Sequence, residues 1–380
     1  WYRGLFGKRP MENRIYRFNH KLKSSLKKTL WPGSTLFEDM GFTYLGPVNG
    51  HDVETVSELL RAAAALKEPV LLHLNTVKGK GFAPAEKTPQ NFHGVGRFDP
   101  ISGRPASAKA PTFATAFGAE LTRLAETDTR ICAITAAMRQ GVGLDAFSEA
   151  HPARYFDVGI AEGHAVTMAG GLAAQGMIPV VAVYSTFLQR AYDMLLHDVA
   201  LMKLHVVLAV DHTGLVGADG ETHHGAFDVG FLRQIPGMTV FCPANFEELR
   251  AMLRKAVWET SGPVAIRYPT GSEGRYTACT DAPLLREGTD CTLVTYGTLV
   301  NAALGAAELC EKRGISVEIV KLPRIAPLDM QPVLESVKKT GRILAAEETE
   351  DMGCVAADIF AALEEGGIRA VCARANLGCG

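Results

Sequence analysis

The chain is short of the features that mark several protein classes. Its eight cysteines, Cys132, Cys242, Cys279, Cys291, Cys310, Cys354, Cys372 and Cys379, are scattered, and none forms a CxxC pair. Several fall inside apolar, strand-like runs, which is the usage of reduced, buried thiols in a cytoplasmic protein and excludes a disulfide framework or a zinc site. Long apolar runs are scarce too: a membrane span needs about 18 consecutive apolar residues, and Gln175 and Pro179 interrupt the best candidate. The opening WYRGLFGKRP lacks the apolar core of a signal peptide. Charge of one sign is also missing, because 39 Lys and Arg face 41 Asp and Glu, for a net charge of −2. The one basic cluster, KLKSSLKK at residues 21–28, reads as a solvated helix face, so no nucleic-acid partner and no membrane is expected.

What remains is an ordinary globular composition, 47% hydrophobic and 21% charged over 380 residues, long enough for two or three domains. The first thirty residues read as a helix and a loop. GFTYLG (41–46), a helix over 52–66 and PVLLHLNT (69–76) then form a strand, helix, strand unit with connections short enough for a parallel sheet. A long loop follows, VKGKGFAPAEKTPQNFHGVGRFDP, holding four Gly, three Pro and His93. Its Gly79 and Gly81 flank Lys80, with Lys78 beside them, a composition that suits a phosphate. A Ser-, Ala- and Pro-rich linker over 101–111 marks a boundary. Beyond it, continuously apolar strands at 131–137, 178–184, 204–211, 238–242 and 263–268 alternate with helices, the pattern of a parallel sheet covered on both faces. A third, smaller α/β unit begins near residue 285, with few convergent polar groups and Glu347, Glu348 and Glu350 as a solvated charge run.

Two stretches carry chemistry. In YFDVGIAEGHAVTMAGGLAAQGMIPVVAVYSTFLQR, a helix of small residues over 162–174 opens on Glu162, in surroundings so apolar that the carboxyl must find a partner or a proton. Tyr184, Phe187 and Arg190 follow the next strand, where open α/β sheets place ligands. The second stretch, DHTGLVGADGETHHGAFD (211–228), packs four Gly and three His into one loop at a strand end, an active-site composition rather than a connector.

DVGIAEGHAV, VAVYSTFLQRAYDMLLHDVALMKL, FTYLGPVNGHD, the KGKGFAPAEKTPQNFHGVGRFDP loop and LVGADGETHHGAFD together resemble the 1-deoxy-D-xylulose-5-phosphate synthase family, thiamine diphosphate enzymes of the transketolase class. The resemblance implies α/β architecture with parallel-sheet domains of transketolase type. It places the C-terminal part of a diphosphate-binding domain over 1–100, a linker over 101–111, a pyrimidine-binding domain over 112–284 and a C-terminal domain over 285–380. It implies that Glu162 activates the cofactor by sharing a proton with its pyrimidine. Phe187 stacks on that ring with Ile160 and Arg190 beside it, and Lys78 contacts the diphosphate. His93, Asp219 and His223 serve proton transfers at the substrate end, and Tyr184, His212 and Thr270 line the acceptor site. Mg²⁺ is expected too, with no ligand in this chain: the family's GDG motif and downstream Asn are absent, and the metal ligands are expected in an upstream segment. The implied reaction joins pyruvate to glyceraldehyde 3-phosphate in a cytoplasmic homodimer. Alternatives are a split transketolase-type or ketoacid dehydrogenase-type β chain and a non-catalytic homologue. One departure stands out. The family generally carries Arg at the positions of His212 and Thr270, where a guanidinium fork would clamp the acceptor's phosphate.

Overall fold

The structure, a computed structural model, describes residues 36–106, 110–217 and 219–378. The helix and loop expected over the first thirty residues, the basic cluster 21–28 and Cys379 lie outside the described residues. The chain divides into two compact units, 1–109 and 110–380.

In the first unit, β1 (Thr43–Asn49) and β2 (Val70–Asn75) pair in parallel across the helix α1 (Val53–Ala65). Asp52 caps α1, its carboxylate accepting from the Thr55 amide at 3.2 Å and the Thr55 hydroxyl at 2.6 Å. The long loop after β2 contains two short helical turns, Ala83–Lys87 and Pro89–Phe92. Phe82, Phe92 and Phe98 close it with a three-ring cluster, centroids 5.4 to 5.9 Å apart.

The second unit opens with α2 (Phe113–Thr127), which starts at a reciprocal capping box between Thr112 and Thr115. The chain then runs through β3 (Ile131–Thr135), β4 (Tyr155–Asp157), α3 (Glu162–Ala174), β5 (Ile178–Tyr184), β6 (Val207–Asp211), β7 (Thr239–Phe241), α4 (Phe246–Trp258) and β8 (Val264–Arg267). The residues of β3, β6 and β8 are buried throughout, as strands covered on both faces require. From β3 the chain passes to β4 on one side, and from β5 to β6 on the other. The direction reverses between β3 and β5, so the crevice at their carboxyl ends is where an open α/β sheet takes its ligand.

The last hundred residues supply β9 (Leu284–Arg286), β10 (Cys291–Thr295), α5 (Val300–Glu311), β11 (Val317–Lys321), β12 (Arg324–Ala326), α6 (Gln331–Thr340), β13 (Arg342–Ala346), α7 (Val355–Glu365) and β14 (Val371–Ala375). Five of the strands form a second sheet in the order β14-β13-β10-β11-β9. β12 leaves that sheet and pairs antiparallel with β7 at the edge of the larger one, Arg324 opposite Phe241 and Ala326 opposite Val240. One apolar core accordingly runs through both layers, from Leu208 and Val210 on β6 to Val294, Val320 and Ile343.

This layer corrects the expectation of few convergent polar groups. Glu347 is 4% exposed, and Glu348 and Glu350 are half-buried. Glu347 accepts from the Tyr296 hydroxyl at 2.9 Å and from the amides of Val355 and Ala356 at 2.9 and 2.8 Å, the first turn of α7. Lys321, wholly buried, pairs with Glu248 on α4. A run of acids in sequence looks solvated, but Glu347 is buried against donors from Tyr296 and the first turn of α7. The cysteines also divide: Cys132, Cys242 and Cys354 are buried, while Cys279 and Cys372 are exposed.

Candidate active site

Glu162 is the first residue of α3 and 4% exposed, with no side-chain cap at that end of the helix. Its partner is Arg190, whose Nη1 donates to Oε1 at 2.5 Å while the guanidinium lies 4.9 Å above the Phe187 ring. The helix can carry this acid close to the segment after β5 because its side chains are small: a Cβ on Gly163 would meet the Met194 methyl at 2.8 Å. Ile160, just before the helix, is 81% exposed. The structure thus brings Glu162, Phe187 and Arg190 together and leaves Ile160 at the surface.

Tyr184, at the end of β5, connects this cluster to the glycine-rich loop. Its ring stacks on Phe187 (5.8 Å, 20°) and on His212 (3.7 Å, 21°). Its hydroxyl lies so close to Gly141 that a Cβ there would come within 1.8 Å. Burial first, then the charges of Asp211 and Asp219, push the phenol up to about 12. His212 follows β6 with a positive φ of 57° and is 7% exposed. Its Nδ1 is 3.0 Å from Asp211 Oδ1, and its Nε2 is 3.9 Å from Asp219 Oδ2. Asp211 is fully buried, which pushes its carboxyl up against the opposing pull of His212.

The paired histidines of the loop diverge. His224 Nδ1 accepts from the Val216 amide at 2.9 Å, whereas His223 turns its ring edge-on to Phe187 at 5.4 Å. Gly225 allows the fold-back, since a Cβ there would stand 2.4 Å from the His212 carbonyl and 2.7 Å from Ser185 Oγ. Thr270 is exposed and shares none of the contacts, among the described residues, that join His212 to Tyr184, Asp211 and Asp219. Reading the sequence missed Asp211 and Ser185. Asp211 Oδ2 and Ser185 Oγ are buried without a hydrogen-bond partner among the described residues. A polar residue ending an apolar strand was the available signal for Asp211; none marked Ser185.

In the first unit, Lys78 Nζ and His93 Nδ1 are 2.9 Å apart, both residues exposed. The Gly81 amide already donates to Glu86 Oε1 at 2.8 Å, so the phosphate suggested by KGKG would compete with that carboxylate. Among the described residues no three His, Cys, Asp or Glu converge as a metal site requires, and none of the helices is long and apolar enough to cross a membrane.

The chain resembles known proteins along most of its length. Residues 109–273 match the family described as transketolase, pyrimidine binding domain, 280–377 match transketolase, C-terminal domain, and 4–76 match 1-deoxy-D-xylulose-5-phosphate synthase. Among curated relatives, the 1-deoxy-D-xylulose-5-phosphate synthase of Desulforudis audaxviator is 48% identical over 88% of this chain and 54% of its own length. That of Heliobacterium modesticaldum is 45% identical over 96% of this chain and 57% of its own. The chain therefore spans about half the length of the curated relatives it matches. Among solved structures, a split-gene transketolase described as an inactive beta4 tetramer superposes with a TM-score of 0.63 at 29% identity, over 71% of this chain and 89% of that one. Transketolase from Campylobacter jejuni shares the fold, with a TM-score of 0.58 at 18% identity, over 92% of this chain and 65% of that one. With both transketolase-type domains and the synthase segment in one continuous order, the chain belongs to the 1-deoxy-D-xylulose-5-phosphate synthase family.

Proposed function

We propose that the protein catalyses the thiamine diphosphate-dependent condensation of pyruvate with glyceraldehyde 3-phosphate, with loss of CO₂, to 1-deoxy-D-xylulose 5-phosphate. That product feeds isoprenoid, thiamine and pyridoxal biosynthesis. The observation that carries the reading is Glu162, a buried acid at a helix start beside an aromatic face, in a chain of this family. A buried carboxyl next to Phe187 suits a flat, weakly basic heteroaromatic ring, so the residues fit the pyrimidine of the cofactor. Bound thiamine diphosphate supplies a nucleophilic carbon and a sink for the electron pair that CO₂ leaves behind.

Glu162 holds a proton against a ring nitrogen, a task that requires Arg190 to yield the carboxylate it grips. Phe187 offers the ring an apolar face, with Ile160 and Arg190 assigned beside it. Lys78 is assigned to the diphosphate. His93, Asp219 and His223 are assigned to proton transfers on the substrates. Tyr184, His212 and Thr270 are assigned to the acceptor. Mg²⁺ belongs to the proposal as the companion ion of the diphosphate; among the described residues no three His, Cys, Asp or Glu converge on a site for it. A cytoplasmic homodimer completes the reading, with residues 1–100 as part of a diphosphate-binding domain, 112–284 as the pyrimidine-binding domain and 285–380 as the C-terminal domain.

The test is direct. Full-length protein with thiamine diphosphate, Mg²⁺, [2-¹³C]pyruvate and glyceraldehyde 3-phosphate should give a labelled 1-deoxyketose phosphate by NMR, and a preparation that forms none overturns the proposal. The likeness to a split-gene transketolase favours one second reading, a β chain that works with a separate polypeptide. Activity that appears only when such a chain is added would establish it.

A further inference from the structure

Asp211 and His212 form a pair whose geometry goes beyond lining an acceptor site. Asp211 closes β6 with no exposed surface, and its Oδ1 accepts from the His212 amide at 2.6 Å and faces the ring Nδ1 at 3.0 Å. The positive φ at residue 212 swings the side chain back over its own neighbour, a conformation that a non-glycine residue adopts at a cost. The Tyr184 ring, stacked at 3.7 Å, then locks the imidazole plane. A carboxylate on Nδ1 fixes the proton there and leaves Nε2 as the working nitrogen, which faces Asp219 across 3.9 Å. A buried orienting acid behind a histidine is the arrangement of a proton-transfer dyad. By contrast, His224 spends Nδ1 on the Val216 amide and His223 meets the Thr222 hydroxyl.

We propose that His212, positioned by Asp211, is a catalytic acid for the acceptor half of the reaction, an inference that rests on the function proposed above. The new C–C bond forms at the aldehyde carbon, and the π pair of its C=O moves to oxygen. The proton on His212 Nε2 passes to that oxygen, leaving a neutral imidazole with Nδ1–H on Asp211. A proton from solvent restores the cation. Aldehyde turnover therefore falls as pH rises through the ionisation of the dyad. The groups facing His212 are Asp211 on its own strand end, Tyr184 on β5 and Asp219 in the loop. Beyond them, the Tyr268 phenol feels the Asp211 charge, Glu348 approaches Gly214, and the His223 ring centroid lies 6.5 Å from that of Tyr184 and 5.4 Å from that of Phe187.

The test uses the full-length protein with thiamine diphosphate and Mg²⁺, measuring kcat/KM for the aldehyde against pH. Asn tolerates a positive φ, so H212N keeps the backbone and removes the proton. It should lower kcat/KM roughly 10²-fold, the low end for losing a proton-transfer group, and abolish the alkaline fall. D211N, which retains the imidazole, should lower kcat/KM for the aldehyde and leave the alkaline fall in place, because the ring keeps its proton and loses the acceptor on Nδ1 that orients it. This second variant decides the matter if H212N does not fold. A fall in H212N with the pH limb intact, or a limb that disappears in H223N instead, overturns the assignment. Wild-type protein that releases no CO₂ from pyruvate overturns the functional reading itself and this inference with it. CO₂ release combined with a D211N variant whose kcat/KM for the aldehyde is unchanged overturns only the dyad.

Discussion

Glu162 and Glu347 are equally buried, each 4% exposed, and each stands against the start of a helix. They differ in what holds them. Glu347 is saturated by a tyrosine hydroxyl and two amides of α7, all fixed by the fold. Glu162 meets, among the described residues, one guanidinium whose side chain is 55% exposed and can move away. Burial alone therefore does not single out a reactive acid. An acid whose only gripping partner can be displaced is available for chemistry, whereas one bound by the backbone is a structural tie.

Three variants sharpen this contrast, beginning with the largest effect. E162Q should reduce turnover by about 10² to 10⁴, since an amide can pair with a ring nitrogen but cannot share a proton with it. Its unfolding midpoint should scarcely change, because a half-exposed ion pair contributes about 0–1 kcal/mol. Steady-state kinetics with chemical denaturation checks both, and near-normal turnover in a folded variant would reduce Glu162 to a helix-start charge. E347Q should do the opposite, costing about 3 kcal/mol of stability as an amide group is turned toward buried donors, with turnover per folded molecule unchanged. Equilibrium urea unfolding reads the loss.

E348Q should give the smallest change. Burial raises the Glu348 carboxyl, with the Arg267 charge pulling weakly the other way. In the window between the ordinary glutamate range and the raised value, the folded state keeps a proton that the unfolded chain releases. Stability therefore falls as pH rises through that window. The variant should be the more stable protein at neutral pH, and the difference should vanish once the pH drops below the ordinary glutamate range. A difference that persists in acid would show that the effect is packing rather than charge.

Much of the fold was legible because its strands and helices are long enough to display a period. The helix opening at Glu162 and the buried strand ending at Tyr184 lie where the apolar pattern puts them. β3 and β6 fall within a few positions of the apolar runs at 131–137 and 204–211. β9 and β12 were not legible. Three residues cannot show an alternation, and both exist only because a distant strand offers its edge. Glu347 and Glu348 misled for the same reason: their environment is supplied by Tyr296, α7 and the loop at Gly214, none of which adjoins them in sequence. At the candidate site, residue types pointed to the loop over 211–228. The stacking of His212 on Tyr184 and its grip on Asp211 depend on a backbone angle that no composition reveals.

β12 has a consequence for anyone who would cut this protein into modules. A break placed just before the last hundred residues passes every test of a domain boundary on the sequence, yet it strips the larger sheet of its outermost strand. The amides and carbonyls of β7 that met β12 would then form an open border, ready to recruit a strand from another molecule. Chimeras that trade C-terminal layers between relatives should therefore carry residues 324–326 with the larger sheet's half or redesign β7 as a protected edge.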